Sequence, residues 1–158
     1  MLLSNPSLER WVLPCAEILT VGLPFCVFKG LTGLIACGMS PAGYVLVALG
    51  LVDLGLNLVN LGYLLVARRR AGALCVLEFA FRGRQRTGGN LGLAVDMFFS
   101  FALVAIVVGA GLLPRLPAFA LSLWNIAVVF NVLGAGAGRL VSALRTAYGD
   151  AASRPSGS

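Results

Sequence analysis

The stretch Arg68-Arg69-Arg70-Ala71-Gly72-Ala73-Leu74-Cys75-Val76-Leu77-Glu78-Phe79-Ala80-Phe81-Arg82-Gly83-Arg84-Gln85-Arg86 decides the fold class of this chain. It holds six of the twelve basic residues in a 158-residue sequence, and long apolar runs flank it on both sides. A soluble domain scatters charge over its surface. A chain that confines its cations to one loop between apolar runs reads as an integral membrane protein. Composition agrees: 59% of residues are apolar and 11% charged, against about 45–50% and about 25% in soluble domains. Mean hydropathy is +0.94.

Working outward from the arginines, apolar runs cover about residues 12–36, 44–67, 91–113 and 118–138. Each has about 20 residues or more, enough to cross ~30 Å of hydrocarbon as a helix. Pro24 inside the first run is expected to bend it. Turn-forming sequences at 37–43 and 114–117 separate the first and last pairs of runs, and the arginine-bearing segment 68–90 joins the pairs. The expectation is an all-α protein with one domain over residues 1–148, built as four transmembrane helices in two hairpins. The Ser-, Gly- and Ala-rich tail 149–158 is expected to be disordered.

The basic residues also set an orientation. Turn 37–43 has none and turn 114–117 has Arg115 alone, whereas the central loop has six and the termini carry Arg10, Arg145 and Arg154. The bias predicts both termini and the central loop in the cytoplasm, with Arg68, Arg69, Arg70, Arg82, Arg84 and Arg86 against an anionic inner leaflet. Arg outnumbers Lys eleven to one, a coding bias that fits a bacterial inner membrane protein. The apolar insert Ala71 to Phe81 is too short to span, and is expected to lie on the inner leaflet as an amphipathic interfacial segment. Cys75 within it is a possible lipid acceptor. Leu34-Ile35-Ala36-Cys37 has the composition of a lipobox, but the preceding segment is long for a signal peptide and Lys29 interrupts it.

Much chemistry is excluded. Histidine is absent, which removes His-ligated metals, bis-His haem and Ser-His or Cys-His catalysis. Cys15, Cys26 and Cys37 recur at eleven-residue spacing, so they share a helix face but stand about 16 Å apart, too far for mutual disulfides. No phosphate-cradling loop, paired-carboxylate metal motif or nucleophile elbow occurs, so neither catalytic activity, cofactor nor metal is expected. The net charge of +6 lacks the aromatic-interleaved basic face of a nucleic-acid binder.

The polar residues inside the runs are the candidate site. Asp53, Asn57 and Asn60 share one face of the second run, and a central Asp facing lipid would cost ~2.5–3.5 kcal/mol. The stripe either lines a polar pathway or glues helices together. Lys29, the only lysine, can pair with Asp53 across adjacent helices or snorkel to the outer headgroups. Asp96, with Ser100 one turn further on the same face, reads as an anchor at a helix N-terminus near Arg84 and Arg86, or as the mouth of a pathway. Gly134 and Gly138 form a G-x-x-x-G that permits close helix packing, within the chain or in a homo-oligomer. Trp124, Asn125 and Asn131 add polar handles to the same run. The expected role is a non-catalytic accessory or assembly subunit of a membrane complex. The alternative is an oligomeric small transporter or ion or proton channel that uses the stripe.

Overall fold

A computed structural model describes the backbone of residues 12–82 and 88–153, with no strand among them. Helix α1 spans Leu13–Cys37, α2 Ala42–Ala67, α3 Val76–Arg82, α4 Gly88–Gly109 and α5 Ala118–Ser153. Four of these helices are long and apolar enough to cross a membrane: α1, α2, Leu91–Gly109 of α4 and Ala118–Val141 of α5. The bundle has two distinguishable ends. At one, Arg70 ion-pairs with Glu17. At the other, Arg115 Nη1 contacts Met39 Sδ at 3.2 Å, so both short turns meet there. They are called here the basic end and the turn end.

Helix α1 is the central post. Of its apolar window 56% is buried, against 22%, 28% and 22% for α2, α4 and α5. Helix α2 packs along it most closely, and α4 and α5 each rest on it while making few contacts with one another. Glycines allow the α1–α2 approach: a Cβ on Gly50 would lie 2.8 Å from the Gly30 nitrogen and 3.0 Å from the Cys26 carbonyl oxygen. Both neighbours are backbone and cannot step aside. Gly50→Ala is therefore expected to cost about 1–3 kcal/mol and lower the melting temperature in detergent. Gly55→Ala, with open space around it, should hold or raise the melting temperature through better helix propensity.

The helix departs from regular α geometry next to Pro24. The backbone of α1 widens into a π-helical turn at Ile18–Gly22 just before it. Proline has no N–H to give the Thr20 carbonyl, and Asn131 Nδ2 of α5 donates to that oxygen instead, at 3.3 Å. Gly134 packs on the same spot, where a Cβ would run into the Thr20 side chain. Gly138 has nothing within 4 Å of its Cβ direction, so only the first glycine of the G-x-x-x-G packs within the chain. Trp124 is buried in an aromatic-rich core with Phe25 and Phe28, while Asn125 is exposed.

Two boundaries differ from expectation. Helix α4 stops at Gly109 rather than near 113, because Gly111 adopts φ +63°. The Gly111 and Leu112 N–H groups then donate back to Val108 and Val107, a Schellman closure. Helix α5 does not end near 138. Its 36 residues extend about 54 Å and continue through 149–153, where loss of structure was expected. Residues 154–158, Arg10, Arg84, Arg86 and the side chains of Arg82 and Arg145 lie outside the described residues.

Candidate functional site

The site begins where α2 ends. Arg68 caps the helix in the left-handed region, φ 54°, with its N–H on the Leu64 carbonyl, and the chain reverses there. The insert expected to lie flat on the leaflet instead runs back along α2, with Ala73, Leu74 and Cys75 buried. The polar stripe binds it rung by rung. Asn60 Oδ1 accepts the N–H groups of Ala71 and Gly72, both at 3.0 Å, and its Nδ2 donates to the Ala73 carbonyl at 2.8 Å. Asn57 Nδ2 donates to the Leu74 carbonyl at 2.8 Å. Asp53 Oδ1 accepts the Val76 N–H at 2.8 Å. The buried Ala73 and Leu74 carbonyls would otherwise be unpaired, at about 1–3 kcal/mol each.

Helix α3 turns the segment back again. Cys75 Sγ accepts the Glu78 N–H at 3.3 Å, and Glu78 Oε2 reaches back to the Leu74 N–H at 2.7 Å. This is half of a capping box, with cysteine in the usual serine or threonine place and the glutamate reaching one residue further back than the N-cap. Helix α3 then packs on α4, where Gly92 leaves room for its backbone: a Cβ there would lie 2.6 Å from the Leu77 carbonyl oxygen.

At the inner tip of this re-entrant segment, three helices bring charges together. Lys29 Nζ of α1 donates to Asp53 Oδ2 of α2 at 2.6 Å and to Asp96 Oδ1 of α4. The three residues are 2%, 2% and 5% exposed, so water does not screen the cluster. Side-chain direction explains the pairing. A helical Cα–Cβ bond tilts towards the helix N-terminus, so Lys29 leans towards the basic end and away from the nearer turn end. Asp53, on a helix running the other way, leans to meet it. Lys29 thus pairs and does not snorkel.

The structure revises two other site expectations. Asp96 stands eight residues into α4, about 12 Å from its start, and is tied to Lys29 rather than to a helix terminus. Ser100 is fully buried one turn on, but its hydroxyl has no partner among the described residues and does not join the cluster. Arg68, Arg69 and Arg70 are exposed at the basic end. Cys75 is buried at 3% exposure, which shields its thiol from the modification the sequence allowed.

A cavity of about 70 Å³ adjoins the cluster, with Glu17 on its wall as well as Asp53, Asn57 and Asp96. Towards the turn end, Leu31, Ile35, Val107, Leu116 and Trp124 belong to a buried apolar core that also takes in Phe25 and Phe28 beside the cluster, with Phe28 and Trp124 ring centroids 4.9 Å apart. Phe101 meets Phe25 edge-on at 5.1 Å. No family model, curated protein or solved structure matches this chain. Its chemistry is therefore read from the cluster itself. Among the described residues no group of three or more His, Cys, Asp or Glu could hold a metal ion, and the Lys29 ammonium already occupies the space between the carboxylates. What the arrangement does offer is a low-dielectric charge centre wired to a re-entrant segment.

Proposed function

We propose that this chain is a non-catalytic helical-bundle subunit that docks laterally in a larger membrane assembly. Its place is a bacterial inner membrane, with the basic end and both termini cytoplasmic. One observation carries the reading: the polar stripe of α2, the natural wall for a passage, is engaged by the chain's own segment 71–76. The buried apolar core on the turn-end side of the cluster, with Leu31, Ile35, Val107 and Leu116, supports it as well. The outward faces of α2, α4 and α5 carry large exposed apolar side chains, among them Leu51, Leu58, Phe98, Ile106, Phe119 and Val132. Lipid or partner helices can cover these. Arginines at the basic end would each add about 1 kcal/mol of attraction to an anionic leaflet.

A second reading, a small proton or cation transporter, rests on the two carboxylates that face a single ammonium beside a cavity. Reconstitution separates the two. Under the docking reading, liposomes with purified protein give no proton or monovalent-cation flux above empty liposomes, and Asp53→Asn changes nothing. The protein, extracted in mild detergent, also migrates in particles well above its own 16.4 kDa plus detergent. Flux that Asp53→Asn abolishes, in protein that stays folded, would replace docking with transport.

A further inference from the structure

We propose that the Lys29–Asp53–Asp96 cluster is a proton-binding site that takes up one proton on the Asp96 carboxylate through the Glu17 side of the adjoining cavity. Charge counting comes first. One ammonium meets two carboxylates, all at most 5% exposed, so the fully ionised cluster carries an uncompensated negative charge away from water. A monovalent positive charge closes the balance. A metal ion fits poorly, because sodium-like cations need several oxygens and Lys29 stands between the two carboxylates. A proton needs one oxygen.

Hydrogen bonding then selects the carboxylate. Asp53 has both oxygens engaged as acceptors, Oδ2 by Lys29 and Oδ1 by the Val76 N–H. An added proton there would displace one of them. Asp96 accepts from Lys29 on Oδ1, the Cys75 thiol lines the same cavity, and no other hydrogen bond among the described residues holds its second oxygen. Among the described residues it has no backbone N–H partner. The other ionisable groups facing the cluster are Cys26 on α1 and Glu17 at the cavity wall, with Glu78 behind Cys75.

The cavity supplies an independent pointer. Asn57, 2% exposed, lines it, and its Oδ1 has no partner. The amide cannot be turned to hide that oxygen, because Nδ2 sits on the carbonyls of Asp53 and Leu74. Its Oδ1 therefore points at Gly22, on the cavity wall, where any Cβ would collide with it. An orphan acceptor beside a cavity of about 70 Å³ calls for a donor, and the cavity is roomy enough for water. Water there carries the proton: hydronium gives it up, an O–H bond forms on Asp96, and neutral water is returned. Release runs in reverse.

The inference stands apart from the docking reading, since it requires a site and no through-path. Its test uses the full chain in lipid nanodiscs. The sequence has three aspartates, Asp53, Asp96 and Asp150, so carbon-13 labelling of aspartate carboxyls gives resolvable signals in wild-type protein. The expected result is one carboxyl that moves from its protonated to its ionised shift as pH rises, with one proton released per chain. That signal is absent in folded Asp96→Asn, and in folded Asp53→Asn, where Lys29 alone balances Asp96, it moves to lower pH. A protonated-carboxyl infrared band that disappears in Asp96→Asn reports the same event. Three outcomes would overturn the proposal: no protonated aspartate at any pH at which wild type stays folded, the signal surviving in Asp96→Asn, or sodium at constant pH displacing it. If Asp96→Asn does not fold, the signals lost in Asp53→Asn and in Asp150→Asn assign the remaining wild-type carboxyl to Asp96, and its titration decides.

Discussion

Lys29→Met is expected to destabilise the protein by about 3–5 kcal/mol, the range for removing one partner of a buried ion pair. The substitution keeps the length and apolar stem of the side chain and deletes only the charge. Two carboxylates from α2 and α4, their side chains 3% and 7% exposed, would then face each other within reach of one former ammonium. Against a total stability of about 5–15 kcal/mol, that loss threatens the fold. Thermal unfolding and size-exclusion profiles in detergent measure it. The triple variant Lys29→Met/Asp53→Asn/Asp96→Asn should recover most of the loss, because neutral amides remove the repulsion and still accept the Val76 N–H. Glu17→Gln breaks the exposed pair with Arg70, whose side chains are 39% and 36% exposed, and should cost no more than about 1 kcal/mol. A Lys29→Met protein that melts with wild type would remove the cluster as a structural centre.

That cluster marks how far sequence reasoning reached. The apolar runs were legible because ~20 residues of hydrocarbon-compatible side chain leave few alternatives. The stripe Asp53, Asn57 and Asn60 was legible from helical spacing, and a Lys29–Asp53 pair from depth along antiparallel helices. The partner of the stripe was not. An eleven-residue apolar insert between arginines has the composition of an interfacial segment. What marks it as re-entrant is complementarity: three buried side chains on α2 need backbone partners, and Ala71–Val76 has small residues and free N–H and C=O groups to supply them. The local signal was Cys75-Val76-Leu77-Glu78, a helix start with capping-box spacing concealed by its cysteine. The partner of Asp96 was missed for a related reason. Its nearness to Arg84 and Arg86 in sequence favoured a local reading, while its true partner lies 67 residues away. The reach of α5 past 138 was missed because the sequence beyond Arg139 has no sustained apolar run to announce it.

The re-entrant reading leads to the second large effect, on exposure of Cys75. Asn60 alone satisfies three backbone groups of the returning segment, the Ala71 and Gly72 N–H and the Ala73 carbonyl. Asn60→Leu leaves all three without their partner while preserving side-chain volume. Fully buried, each orphan would cost about 1–3 kcal/mol. The two N–H groups are only part-buried and regain water when the segment lifts, which puts the shift in the docking equilibrium near 3 kcal/mol. That corresponds to about 100-fold more open segment. Cys75 reports it directly, being 3% exposed when docked. With Cys15, Cys26 and Cys37 replaced by alanine, a water-soluble maleimide should label Cys75 about 100-fold faster in Asn60→Leu. Asn125→Leu, at an exposed amide on α5, should leave the rate unchanged. Circular dichroism separates local release from unfolding, because α1, α2, α4 and α5 do not depend on the rungs for their own hydrogen bonds. Equal labelling with full helicity would mean that the stripe does not hold the segment, and the site would reduce to its three charges.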